Sequence, residues 1–235
     1  MTPEKLIKIG SNFLKQNNIK SYLIDSELIL SSISGKPREN FLVNSEVKLN
    51  KSQINCFNNL IFRRGICKEP IAYLLNKKEF WSIKLKVEKG VLIPRPETEI
   101  LVDKLVKYYD LENPFILDVG TGSGCIIISL LQELKRSKGV AIDISIKALK
   151  VAQNNSKINN TFDRIRFINT SISQLNNFKF DLIVSNPPYI ARHQLKNLQD
   201  DIKNFEPKVA LDGGNDGLDV LRKVIYKSRK ILKIN

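Results

Sequence analysis

Histidine is nearly absent from this chain: among 235 residues, His193 is the single imidazole. Cysteine is scarce as well, and Cys56, Cys67 and Cys125 lie far apart with no paired spacing. A zinc site needs clustered thiolates and imidazoles, and a disulfide scaffold needs dense, paired cysteines, so neither organises this protein. We read the three thiols as small buried groups. Long hydrophobic runs are also missing. Stretches such as Ile126 to Ile128 and Leu182 to Val184 fall far short of the roughly 20 residues that cross a bilayer as a helix. The segment MTPEKLIKIGSNF has no apolar signal core, and a cytoplasmic protein is expected from it.

Acidic residues are in deficit, 24 against 38 Lys and Arg, which leaves a formal charge of +14. Taken alone, that excess favours nucleic acid or a ribonucleoprotein surface as partner. The lysines are spread along the chain and not clustered, which is equally the pattern of a solvated surface. The apolar content of 42% and charged content of 26% are those of an ordinary globular chain, long enough for one large and one small domain.

The first of these is residues 1–76, which read as short helices. Thr2 caps one with Pro3 in its first turn, placing Leu6, Phe13 and Leu14 on one side. A second runs from Ser21 to Gly35. A third spans Lys51 to Arg64, with Ile54, Phe57 and Ile61 at helical spacing and Gly65 as its stop. Pro70 opens a fourth. No nucleophile, metal cluster or phosphate loop lies here, so a recognition or packing module is expected. Residues 77–96 read as a hairpin linker: Trp81, Ile83, Leu85 and Val87 alternate with polar neighbours, Lys89-Gly90 turns, and Val91 to Ile93 returns. Residues 97–235 then alternate strand and helix. After a helix from Glu97 to Tyr109, apolar strands are predicted at Phe115 to Val119, Gly139 to Ile142, Arg166 to Ile168 and Phe180 to Val184. This pattern predicts an α/β domain, a Rossmann-like parallel sheet covered on both faces.

Two motifs carry chemistry. The first is Gly120-Thr121-Gly122-Ser123-Gly124 after the first strand, with Asp143 ending the second. Glycines at a strand-to-helix turn let a ligand approach the backbone, and an acidic residue at the second strand accepts both hydrogen bonds of a ribose diol. The dinucleotide pattern requires a third glycine where Cys125 stands. The second motif is Asn186-Pro187-Pro188-Tyr189, directly after the fourth strand. An amide nitrogen is a poor nucleophile because its lone pair is delocalised into the carbonyl. The Asn186 side-chain oxygen and the Pro187 carbonyl can accept both of its N–H groups, Tyr189 can pack on the planar group, and the prolines hold the carbonyls rigid.

With these motifs the chain resembles the release factor glutamine N5-methyltransferases, the HemK/PrmC family. Arg63-Arg64-Gly65, Glu69-Pro70-Ile71-Ala72-Tyr73, Phe80-Trp81, the string Leu92-Ile93-Pro94-Arg95-Pro96-Glu97-Thr98-Glu99, Phe205-Glu206-Pro207 and Gly213-Gly214 match it too. The resemblance implies a class I S-adenosylmethionine-dependent methyltransferase fold behind a small helical N-terminal domain. It implies that Gly120 to Gly124, Asp143, Ser171 and Asn186 bind S-adenosyl-L-methionine. It implies that Asn186, Pro187, Pro188 and Tyr189 hold the glutamine of the GGQ loop of a class 1 release factor, with Asn186, Pro187 and Tyr189 catalytic. Ser171 stands where the family has a bulky residue beside the adenine, so weaker packing is expected there, and Asn76 replaces a glycine. The family continues with three further strands past the Val220 to Leu232 helix, so a C-terminally truncated sheet is expected, with Phe180 to Val184 lacking a neighbour on one side.

A ribosomal-protein glutamine methyltransferase, an adenine-N6 nucleic-acid methyltransferase, and an inactive truncated binding protein stand as alternatives. The expected partner is a release factor met by a monomer, with no membrane, no direct nucleic-acid binding and no metal. His193 is read as a surface or lip residue, not a base.

Overall fold

The computed structural model describes residues 2–43, 48–109 and 112–233. The chain divides into two compact units, Met1–Leu75 and Asn76–Asn235.

The first unit holds α1 (Pro3–Gln16), α2 (Tyr22–Ser34), α3 (Asn40–Val43), α4 (Lys51–Gly65) and α5 (Ile71–Leu75). Thr2 accepts the Lys5 amide at the start of α1. At the start of α4, Asn50 and Gln53 bond reciprocally in a capping box, satisfying two amides that a helix start leaves free. Leu6, Leu14, Ile29, Leu30 and Phe57 are buried at the centre of the unit. Gly65 is the last residue of α4 and does not stop it by a left-handed turn. A Cβ there would sit 2.7 Å from the Phe13 ring, so its role is close helix approach. Cys56 and Cys67 are exposed and Cys125 is half-buried, contrary to the expectation of three buried thiols.

The second unit opens on a two-stranded antiparallel hairpin, β1 (Lys77–Phe80) and β2 (Ile83–Lys86). Its turn is Trp81-Ser82, both at positive φ (49° and 57°), not Lys89-Gly90. The alternation of Trp81, Ile83, Leu85 and Val87 spans that turn, so period alone hid it. Asn155 pins the hairpin to the rest of the unit. Its Oδ1 accepts the Lys86 amide at 2.7 Å, and its Nδ2 donates to the carbonyls of Lys86 and Ser123, both at 2.9 Å.

The remainder runs α6 (Glu97–Tyr108), β3 (Phe115–Val119), α7 (Cys125–Glu133), β4 (Lys138–Asp143), α8 (Ile146–Ile158), β5 (Ile165–Asn169), β6 (Leu182–Ser185), α9 (Asp200–Phe205) and α10 (Asp219–Ile231). The strand order is β5-β4-β3-β6 and every pairing is parallel. One face of the sheet packs under Phe80, Leu85, Val102 and the apolar side of α7. The other packs under Leu175, Phe180, Val224 and Ile231. Burial on both faces explains why these strands read as continuous apolar runs. The outer side of β6 is not bare at its start: Phe180 donates to the Ile231 carbonyl and accepts the Lys233 amide, each at 2.9 Å. The chain leaves β3 outward to β4 and β5 and then returns to β6 on the other side. That reversal opens a crevice at the carboxyl ends of β3 and β6.

Candidate active site

A cavity of about 510 Å³ occupies this crevice. Its floor is the loop after β3. Gly120, Gly122 and Gly124 all have positive φ (72°, 57° and 82°), which the tight turn requires. A Cβ on Gly120 would meet nothing within 4 Å, and one on Gly122 only the Gly120 carbonyl at 3.9 Å, so that backbone faces open space. Gly124 instead packs inward against Ile128 and Ala152 and does not line the cavity.

The loop amides decide between two ligand classes. Gly120 and Thr121 both donate to the Ile142 carbonyl, Gly124 donates to the Thr121 carbonyl, and Gly122 donates to Asp143 Oδ2 at 2.9 Å. These four N–H groups are committed inside the protein and are not offered to a phosphate. The loop is a smooth shelf for close approach.

Asp143 ends β4 at the rim of this shelf. Its carboxylate also accepts the Ser145 amide at 2.8 Å, while desolvation pushes its carboxyl above the ordinary range and the amides of Ser145 and Gly122 pull it back. Thr121, Ser123 and Ser171 line the same cavity. Ser171 is small and bonds to Gln174. Apolar wall is supplied beside it by Ile172 and Ile144. Ile144, 60% exposed, follows Asp143 directly, and only its position after the acidic residue could have marked it in the sequence.

Asn186 and Pro188 line the cavity from the end of β6. Tyr189, 66% exposed, lines a second cavity of about 120 Å³ that shares Asn186, Leu92, Arg95 and Ala210 with the first. Pro187 borders neither, and His193 is exposed and also lines neither. Ser185 donates to the Val119 carbonyl at 2.8 Å, tying the start of the Asn-Pro-Pro-Tyr motif to the glycine loop. The sequence reading gave Gly90 to Leu92 and Pro94-Arg95 no site role, yet they form a wall of the larger cavity. Arg95 is held by Glu206 at 2.6 Å, a carboxylate only 2% exposed.

Beneath the loop lies Asp118, fully buried, whose Oδ2 accepts the Thr121 hydroxyl at 2.7 Å while Oδ1 finds no partner. Desolvation pushes its carboxyl up to about 7 from 3.8. The folded state therefore retains a proton that the unfolded chain has released, and stability falls as pH rises from about 4 to about 7. In thermal melts at pH 4 to 8, the Asp118→Asn variant is expected to lack this share of the wild-type slope. Parallel melting curves for the two proteins across that range would remove Asp118 as its source.

The strand order, the glycine shelf, the acidic rim at β4 and the motif at β6 define a class I S-adenosylmethionine-dependent methyltransferase. The Methyltransferase small domain family matches residues 96–205, and the PrmC N-terminal domain family matches residues 5–75. The release factor glutamine methyltransferase of Clostridium acetobutylicum is 39% identical over 234 residues, covering 98% of this chain and 81% of that protein. The chain belongs to the release factor glutamine methyltransferase family. A bifunctional methyltransferase of Rickettsia typhi is 37% identical over 252 residues, which cover 99% of this chain but 47% of that longer protein. Among solved structures, the catalytic domain of hMettl16, crystallised with the MAT2A 3′UTR hairpin 6, shares the fold. It superposes with a TM-score of 0.54 at 17% identity over 81% of this chain and 69% of that one. No described helix is long and apolar enough to cross a membrane.

Proposed function

We propose that this protein transfers a methyl group from S-adenosyl-L-methionine to the side-chain amide nitrogen of the glutamine in the GGQ loop of class 1 peptide chain release factors. The observation that carries the proposal is Asn186 at the mouth shared by two cavities, one floored by the glycine shelf and one bordered by Tyr189. The larger cavity suits the donor: its volume is that of a site for a nucleoside-sized ligand, Gly120 and Gly122 leave the shelf clear, and four of the loop amides are already engaged within the protein. When bound there, the donor supplies a methyl group already activated by its sulfonium.

The protein's own contribution is to the acceptor. Asn186 Oδ1 takes one amide N–H group, and the Pro187 carbonyl, placed by the motif and not by the cavity lining, takes the other, which fixes the nitrogen in position. Pro187 and Pro188 keep those acceptors rigid, so little reorganisation is left for the reaction. Pro188 and Tyr189 wall the planar group. Gly120 to Ser123 and Asp143 hold the donor, Gly124 packs the loop against α7 and α8 from behind, and Ser171 lies at the adenine end. The methylated nitrogen loses its proton to water, which leaves no task for His193. In this reading residues 1–76 recognise the release factor, 77–96 link, and 97–235 catalyse. The protein works as a monomer in the cytoplasm and needs no nucleic acid.

The test uses donor labelled in its methyl group. Label is expected in a class 1 release factor, is lost when the GGQ glutamine is changed to alanine, and is absent from DNA and RNA oligonucleotides. Labelled oligonucleotide with a blank release factor would move the chain to adenine-N6 chemistry, since adenine offers a similar planar amino group. Label in neither would leave a binding protein.

A further inference from the structure

The string from Ile93 to Glu99 is the longest motif to which the proposed chemistry assigns no task. It forms the entry to α6, and three of its side chains reach away from that helix. Arg95 reaches Glu206 in the stretch before α10, Glu99 accepts the Trp81 amide at 3.1 Å, and Thr98 meets Asn186. The last contact is specific in its atoms: Asn186 Nδ2 donates to Thr98 Oγ1 at 3.3 Å, across 88 positions of sequence. Among the described residues no protein donor reaches Asn186 Oδ1.

We infer that Thr98 is a positioning residue that tethers the side chain of Asn186 at the cavity mouth. An asparagine offers an acceptor and a donor of nearly the same shape, and only the acceptor helps a substrate amide present its nitrogen. With Nδ2 engaged by the Thr98 hydroxyl, Oδ1 is the group left for the cavity. The reversed amide would aim N–H at N–H. Thr98 borders neither cavity, so it acts through Asn186 and not on donor or acceptor. Its own place is fixed by the backbone: its amide donates to the Arg95 carbonyl at 3.0 Å, and Arg95 is anchored on buried Glu206. The string is thus a bracket that holds one asparagine in place. The inference rests on the reading of Asn186 as the residue that holds the acceptor amide.

Thr98→Val keeps the shape and removes the hydroxyl, and Thr98→Ser keeps the hydroxyl. Two readouts are taken on the full chain. In ¹⁵N-labelled protein, the Asn186 side-chain NH2 signals, assigned by their loss in Asn186→Ala, are expected to shift in Thr98→Val and to stay near wild type in Thr98→Ser. This arm needs no acceptor, so it stands even if the release factor proves not to be the substrate. In methyl transfer, kcat is expected to fall about tenfold in Thr98→Val, the scale of one hydrogen bond, with donor affinity unchanged and recovery in Thr98→Ser. In an Asn186→Ala background, Thr98→Val should add no further loss, because the two residues act as one unit. Unshifted NH2 signals in Thr98→Val, or a full tenfold loss persisting without Asn186, would overturn the inference. A wild-type chain that labels no release factor while the NH2 signals shift as expected would instead overturn the proposed function and leave the contact intact.

Discussion

Asn186→Ala is expected to lower kcat for release factor methylation by about 10²–10³-fold, the scale seen when one preorganised polar partner of a transition state is removed. The reasoning starts from the acceptor. Ground-state amide nitrogen carries little nucleophilic density, and the cost of localising its lone pair falls in the transition state. An acceptor placed on an N–H that grows more acidic as the methyl arrives is therefore worth more at the transition state than in the bound complex. Losing it lowers kcat and kcat/KM together. The shelf proposed for the donor is built by the glycine loop and β4, which the substitution does not touch, so donor affinity should move by no more than a few-fold. Steady-state kinetics with calorimetric titration of the donor separates the two quantities. A variant with wild-type kcat, or one whose loss appears wholly as donor affinity, would remove Asn186 from its proposed role.

Why the two motifs could be read without coordinates is a matter of period and place. Continuous apolar strands such as Phe115 to Val119 announce a sheet covered on both sides, and a glycine loop after the first strand with Asp143 after the second places a site at their carboxyl ends. The helices of the first unit were visible because boundaries such as those at Thr2 and Gly35 use local signals. What stayed hidden was set by contacts distant in sequence. Nothing near Asn155 says that it will bond Lys86 and Ser123 at once. Nothing in the alternation around Trp81 says that the chain reverses there at positive φ. The string from Ile93 to Glu99 was conspicuous as a match, yet its partners Asn186 and Glu206 lie 88 and 111 positions downstream of Thr98 and Arg95. Gly65 misled for a different reason: a glycine after a helical run suggests a left-handed stop, and here it answers to the Phe13 ring.

Asp143→Ala should weaken donor binding by about 1.5–3 kcal/mol, the range for hydrogen bonds to a charged group, or roughly tenfold to 150-fold in Kd. Two effects of the same sign add here. The carboxylate is the one acidic group at the end of β4 and lines the cavity; in the proposed reading it accepts both hydroxyls of the donor ribose. It also accepts the amides of Gly122 and Ser145 at 2.9 and 2.8 Å, so it shapes the shelf in addition to its proposed contact with the donor. Removing it leaves the Gly122 amide without its partner and frees the loop to relax. Asp143→Asn separates the contributions: its side-chain oxygen can still accept one amide and one ribose hydroxyl, while its NH2 cannot replace the second acceptor. The expected order of donor affinity is therefore wild type, then Asp143→Asn, then Asp143→Ala. Because ordinary carboxylate pKa values lie well below neutrality and burial raises that of Asp143, acidification should protonate it and weaken donor binding in wild type. The alanine variant should lack that share of the pH dependence. Calorimetric titration of the donor between pH 5 and 8 checks both statements, and unchanged affinity in Asp143→Ala would mean that the ribose is held elsewhere in the cavity.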